Sequence, residues 1–169
     1  CLKYEQAIDL YLEVTQHKDF KKITPFFVES WSIFEAYAHL VKGKIATPEK
    51  MPTFSINRYV NNIPTFSKDK RGNNITILVA QYIFLVEKKK YDDVIDRVDA
   101  LKQYVHRYLR EDATLRANCF IKMLLSIVKA DFHPLRAKRY AEKFVEKIHN
   151  APQSISEQNT EIEIIPYED

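Results

Sequence analysis

Glycine is scarce in this chain, with only Gly43 and Gly72 among 169 residues. Glycine supplies many of the tight turns of β-hairpins, so its scarcity argues against an all-β fold and favours helices joined by simple turns. The length and the 46% hydrophobic content suit one domain with a sizeable core. The composition therefore predicts an all-α protein.

Cysteines and long apolar runs are also few. Two cysteines cannot form a disulfide framework, and Cys119 lies in the apolar run 115–128, where a thiol behaves as a small buried hydrophobe. No stretch reaches eighteen uncharged apolar residues, the length that indicates a membrane span. We therefore expect a soluble, cytoplasmic protein.

Position 1 is a cysteine, the residue at which a bacterial lipoprotein begins once its signal is removed. Residues 4–14 already show an amphipathic helical pattern, whereas a lipoprotein usually has a flexible polar tether there. We prefer the interpretation that the chain is a segment of a longer protein, cut at both ends.

Apolar residues at helical spacing predict six main helices. Thr24 is the expected N-cap of the second, Pro25 its first residue and Gly43 its left-handed cap. Prolines interrupt the pattern between residues 44 and 74, which predicts a long connector with one or two helical turns at 55–62. The six predicted ranges are approximately 3–16, 25–42, 73–89, 91–110, 113–129 and 134–149.

A nearly all-round apolar helix followed by an amphipathic helix occurs twice in the C-terminal half. Aligning Tyr91 with Pro134, or Ala80 with Met123, gives an offset of 43 residues. Each such pair exposes an apolar side that only a neighbouring pair can cover. Residues 1–150 are therefore predicted to form a single array of stacked antiparallel helix hairpins.

The tail, residues 151–169, has a different pattern. Residues 160–164 alternate with period two, which predicts an extended segment or an edge strand. After residue 156 there are five acids and no Lys or Arg, so this part carries −5 and the rest of the chain +8. We hypothesise that the acidic tail folds back on the basic helix 134–149 or occupies the groove of a neighbouring molecule.

The hairpin at residues 80–95 resembles a tetratricopeptide (TPR) unit, in which a small residue such as Ala80 lets two helices approach and an aromatic such as Tyr91 opens the second helix. The repeat exceeds the usual length of about 34 residues. Residues 66–72, 97–104 and 161–168 are similar to a family of bacterial helical-repeat proteins of tetratricopeptide type. This resemblance covers roughly the C-terminal two thirds and implies a TPR-like α-solenoid, but no activity.

The sequence offers no catalytic or cofactor-binding group. The usual general base is histidine, and the five histidines are scattered, without a second histidine at zinc-binding spacing. Phosphate-binding loops need clustered glycines, which the chain lacks. We therefore predict no catalytic residue, no metal and no cofactor. The histidines are His17, His39, His106, His133 and His149.

Four polar residues interrupt the apolar first helices of the two repeats: Gln81, Arg116, Asn118 and Lys122. In a hairpin stack the first helices line a concave surface that commonly receives a peptide. Such residues either face that groove or form hydrogen bonds with nearby backbone groups, and the sequence leaves both interpretations open. We predict a non-catalytic module that binds a protein or peptide, with these four residues as its candidate site.

A basic all-α nucleic-acid-binding regulator is the alternative prediction. Basic residues cluster in the last helix and in the connector, although Glu142 and Glu146 between them are typical of an ordinary solvated face. An enzyme whose site needs further parts of a longer chain is a third possibility. The basic residues are Lys68, Lys70, Arg71, Lys129, Arg136, Lys138, Arg139, Lys143 and Lys147.

Overall fold

The structure, a computed structural model, describes residues 4–42, 51–61, 73–109, 115–151 and 163–167. Every regular element in these ranges is a helix, which confirms the predicted all-α class. In chain order the elements are α1 (Tyr4–Gln16), a short 3₁₀ helix (Phe20–Lys22), α2 (Pro25–Leu40), α3 (Ile56–Asn61), α4 (Asn73–Glu87), α5 (Tyr91–Tyr108), α6 (Leu115–Lys129) and α7 (Pro134–Asn150).

The chain divides into two compact units, Cys1–Lys68 and Asp69–Asp169. The division falls inside the connector predicted at residues 44–74. The single array predicted for residues 1–150 stays a prediction.

In the first unit, α1 packs against α2 through aromatic side chains, with the ring centroids of Tyr11 and Trp31 6.1 Å apart. Pro25 opens α2 as predicted. Thr24 precedes it with an extended backbone, but its side chain accepts no capping hydrogen bond. The predicted cap Gly43 lies outside the described residues.

In the second unit, α4 and α6 carry most of the buried side chains, because their sequences are apolar on most sides. Tyr82 and Ile121 are fully buried, and Cys119 is buried as predicted. The amphipathic helices α5 and α7 each pack against the helix that precedes them, and α5 also contacts α6. The Tyr82 hydroxyl donates a 2.8 Å hydrogen bond to the Leu124 carbonyl, which ties α4 to α6.

The turn after α4 closes without glycine. The N–H of Lys90 donates to the Leu85 carbonyl and the N–H of Lys89 donates to the Val86 carbonyl, the two bonds of a Schellman motif. The motif needs one residue in the left-handed conformation, and Lys89 adopts that conformation with φ of 56°. A residue with a Cβ pays about 1 kcal/mol for that conformation.

The same two hydrogen bonds close α6, where Phe132 donates to Ile127 and Asp131 donates to Val128. The C-terminal ends of the two first helices, α4 and α6, therefore correspond with an offset of 42 residues. This is one residue less than the alignment of Ala80 with Met123 predicts.

Phe132 is an additional left-handed residue in the second turn, with φ of 57°. Because of this extra residue α7 begins at Pro134, so the predicted alignment of Tyr91 with Pro134 is correct for the second helices. The Phe132 ring stacks on Tyr91 with centroids 4.0 Å apart, and this contact helps to offset the strain.

Residues 163–167 form bends and a turn, with no strand in this described part of the tail. The period-two pattern is therefore not realised as a strand from Glu163 onward. Residues 152–162, which include the start of that pattern, lie outside the described ranges.

Candidate functional site

A groove of about 400 Å³ lies between α6 and α7. The antiparallel arrangement of the two helices brings one face of each to the groove. The lining side chains combine cations with apolar and aromatic groups: Lys122, Leu125, Ser126, Lys129, Arg139, Tyr140, Glu142, Lys143, Phe144 and Glu146.

Cations and aromatic rings are paired in this groove. The Lys129 ammonium lies 5.1 Å from the centroid of Tyr140, and the Lys143 ammonium lies 5.0 Å from that of Phe144. Such contacts are worth about 0.5–1 kcal/mol at exposed sites and hold the lysine stems along the rings. The lining has four basic and two acidic side chains, so the groove favours anionic ligands.

Of the four residues predicted to bind peptide, Lys122 lies in this groove and is exposed. Gln81 is buried, and its side-chain oxygen accepts a 3.3 Å hydrogen bond from Arg97 Nε. The Asn118 side-chain amide donates to the Leu109 carbonyl, beyond the end of α5. The structure therefore does not bring the four residues together on one surface.

Arg116 binds the C-terminal segment, residues 163–167, through a buried ion pair. Its Nη2 lies 2.6 Å from Glu163 Oε1 and its Nε lies 3.1 Å from Glu163 Oε2, so the carboxylate is held at two points. Nη1 donates to the carbonyls of Ile148 and Ala151 at the end of α7, at 2.8 and 3.3 Å. The Arg116 side chain is only 7% exposed and that of Glu163 16%.

Tyr167 completes this contact. Its ring stacks on Phe120, one turn after Arg116 on α6, with centroids 4.2 Å apart and planes 11° from parallel. Its backbone N–H donates a 3.2 Å hydrogen bond to Glu163 Oε1. Burial and the Glu163 carboxylate raise the pKa of the Tyr167 hydroxyl, which has no hydrogen-bond partner among the described residues.

Three groups with shifted pKa values lie in the first unit, Tyr11 on α1 and Glu35 and His39 on α2. Burial raises the pKa of Glu35 and, together with the Glu35 charge, raises that of Tyr11 to about 12. Burial and the Lys42 ammonium lower the pKa of His39, whose ring stacks on Phe54 with centroids 4.6 Å apart. A metal-binding cluster of three His, Cys, Asp or Glu does not occur in the described ranges.

The sequence analysis did not identify Glu163, Tyr140 and Phe144 as site residues. Tyr140 follows the basic run 136–139, and basic side chains beside aromatic ones at helical spacing indicate such a groove. No pattern in the sequence around Glu163 indicates its role, since its partner Arg116 is 47 residues away in the chain.

Comparison of the chain with family models, with curated proteins and with solved structures gave no match. In the part of the chain that the structure describes, no helix has the length and apolar character needed to cross a bilayer.

Proposed function

We propose that this chain is a non-catalytic module of TPR-like type that binds a protein or a peptide, and that the groove between α6 and α7 receives the ligand. The observation that carries the proposal is the juxtaposition of basic and aromatic side chains along this groove. Lys122, predicted from the sequence, is one of its lining residues.

The groove chemistry defines the class of ligand. Leu125 and Phe144 supply apolar surface, while Lys122, Lys129 and Arg139 supply positive charge around it. A peptide with acidic side chains next to apolar ones would satisfy both. Clustered cations are known to bind acidic motifs, and grooves between helices are known to bind apolar anchor residues.

The recurrence of the hairpin supports the TPR-like part of the proposal. The two first helices end in the same Schellman motif, and the Tyr82–Leu124 hydrogen bond joins them directly. Helical repeat proteins stack supersecondary units in this way and bind ligands on the extended surfaces that result.

A peptide-display selection tests the proposal. The chain is used to select ligands from a random dodecapeptide library, and the affinity of the enriched peptides is measured by fluorescence anisotropy. We expect acidic, apolar-containing sequences, and we expect Lys122→Glu with Lys129→Glu to weaken their binding at least tenfold. The control, Lys88→Glu with Lys90→Glu, makes the same charge change at exposed positions outside the groove and should keep the affinity. Equal affinity of the two double variants would contradict the groove assignment.

The charged aromatic groove also fits the second candidate, a nucleic-acid-binding regulator. Single-stranded nucleic acids bind through cations that contact phosphates and aromatic rings that stack on bases. The logarithm of affinity for a labelled oligonucleotide should then fall with the logarithm of salt concentration, with a slope of about −0.7 per phosphate contact. A slope near zero, with no loss of affinity on Lys129→Glu, would exclude this candidate in favour of the peptide ligand.

A further inference from the structure

The contact between α6 and the C-terminal segment has the features of a peptide in its receptor site. Glu163 and Tyr167, four residues apart, contact Arg116 and Phe120, also four residues apart. The segment has no regular secondary structure, and an ion pair and a ring stack join it to α6. We define these groups of α6, together with the Ile148 and Ala151 carbonyls, as the Arg116 site.

Part of the Arg116 site is held by groups that do not belong to the segment. Nη1 of Arg116 is held by the two carbonyls at the end of α7, so the guanidinium keeps acceptors when the carboxylate leaves. The remaining nitrogens, Nε and Nη2, then form the fork that matches a carboxylate. Phe120 presents the face on which an aromatic ring stacks.

The segment does not fit the site perfectly. The Tyr167 hydroxyl is buried and, within the described ranges, makes no hydrogen bond. A buried polar group without a partner destabilises the state in which it is buried. This cost weakens the docked state and favours exchange.

We propose that the Arg116 site is a docking site for acidic–aromatic peptides, with a carboxylate side chain and an aromatic ring four residues further on, and that residues 163–167 occupy it in cis. The site is distinct from the α6/α7 groove, because Arg116 and Phe120 are not among the residues that line that groove. The proposal therefore goes beyond the proposed function and does not depend on it.

The cis segment competes with any external peptide. In the sequence, only residues 152–162 separate the segment from the end of α7, and tethering over so short a stretch of chain gives an effective concentration in the millimolar range. If the cis segment itself has an intrinsic Kd of about a tenth of that value, any external peptide binds the closed chain about tenfold more weakly than the open one.

The test uses the full chain carrying Lys122→Glu and Lys129→Glu, which removes the affinity for acidic peptides proposed for the α6/α7 groove, and a fluorescein-labelled peptide with the sequence of residues 161–169. When Glu163→Gln and Tyr167→Ala are added to this background the cis segment is released, and we expect the peptide to bind at least tenfold more tightly than to the background chain. A peptide carrying the same two substitutions should not bind. The control, Glu146→Gln with Tyr140→Ala added to the same background, leaves the cis segment in place and should bind the peptide as weakly as the background chain.

Adding Arg116→Lys to the released variant keeps the charge but removes the fork, and we expect peptide affinity to fall at least tenfold. Circular dichroism checks that each variant keeps its helix content. Equal binding of the native and the substituted peptide to the released variant would overturn the proposal, even if the Arg116→Lys variant unfolds. Failure of the native peptide to bind the folded released variant would overturn it as well.

Discussion

Arg116 shows how one polar residue can be accommodated in an otherwise apolar helix. Its guanidinium bonds to Glu163 and to two backbone carbonyls, so its burial is compensated. Removing one partner of a buried ion pair is costly, because the other charge is left in a poor solvent. The stability of buried Arg116 therefore depends on the carboxylate of Glu163.

Glu163→Gln should lower the free energy of unfolding by about 1.5–3 kcal/mol, since the amide keeps part of the hydrogen bonding but not the charge. Urea denaturation followed by circular dichroism measures the change. The control Glu142→Gln removes the same charge at an exposed position and should stay within about 0.5 kcal/mol of the wild type. Equal effects of the two substitutions would show that the ion pair does not contribute.

Tyr167→Phe should raise the free energy of unfolding by about 1 kcal/mol. The substitution keeps the ring stack on Phe120 and removes a buried hydroxyl that has no partner in the described part of the chain. The control Tyr140→Phe removes a more exposed hydroxyl and should have little effect. A loss of stability in Tyr167→Phe alone would mean that the hydroxyl is hydrogen-bonded.

His39 should make stability depend on pH. Burial and Lys42 lower its folded pKa below the ordinary 6.5, so the unfolded chain binds the proton more readily. The stabilisation is complete above pH 6.5 and is lost as the pH falls from there toward the folded pKa. Thermal melts at pH 7.5 and 5.5 should show a smaller pH difference for His39→Gln than for the wild type. An unchanged difference would contradict the assignment.

At the scale of the elements, main-chain hydrogen bonds close the turns after α4 and α6, although neither turn contains glycine. Both form Schellman motifs with lysine or aspartate at the left-handed position. Glycine is the usual residue there, because it has no Cβ to clash. The chain therefore carries removable strain at Lys89.

Lys89→Gly should raise the free energy of unfolding by about 0.5–1 kcal/mol, because the relief of left-handed strain exceeds the entropy that glycine loses on folding. The control Lys88→Gly changes the preceding residue, which does not have a positive φ, and should destabilise the protein. Urea midpoints of the two variants and the wild type give the comparison. Destabilisation by both substitutions would contradict the strain argument.

Helical periodicity predicted the α-helices of the described residues to within about two residues at each end, but it did not predict the short 3₁₀ helix Phe20–Lys22. The predicted range 134–149 differs by one residue from the observed α7, and 73–89 differs by two from α4. The shift in register between the repeats could not be predicted, because it depends on a second left-handed residue, Phe132, which no glycine marks. Side-chain periodicity also could not reveal where the tail docks.

The candidate site was only partly predictable, because a polar residue in an apolar helix does not show what its partner is. Lys122 was identified as a polar interruption, but the same signal also selected Arg116, Gln81 and Asn118, whose polar groups bond within the protein. A polar residue in an apolar helix can face a ligand or a distant part of the same chain. The sequence does not distinguish these outcomes.

At the scale of the whole molecule, charge is distributed between two separate features of the second unit. One acidic residue of the tail, Glu163, neutralises Arg116. Among the basic residues of the α6/α7 groove, Lys122 and Lys129 lie on another face of α6 and Arg139 and Lys143 lie on α7, and the acidic residues of the lining are Glu142 and Glu146. The groove therefore keeps the net positive charge with which the proposed acidic ligand would interact.

Chemical-shift mapping by NMR is the most direct test of the proposed function. A display-selected acidic peptide is titrated into the ¹⁵N-labelled chain, and backbone amide shifts are followed. We predict that the largest shifts fall on residues 122–129 and 139–146, and that Lys122→Glu with Lys129→Glu abolishes them. Shifts confined to other helices, or unchanged shifts in that variant, would contradict the assignment of ligand binding to this groove.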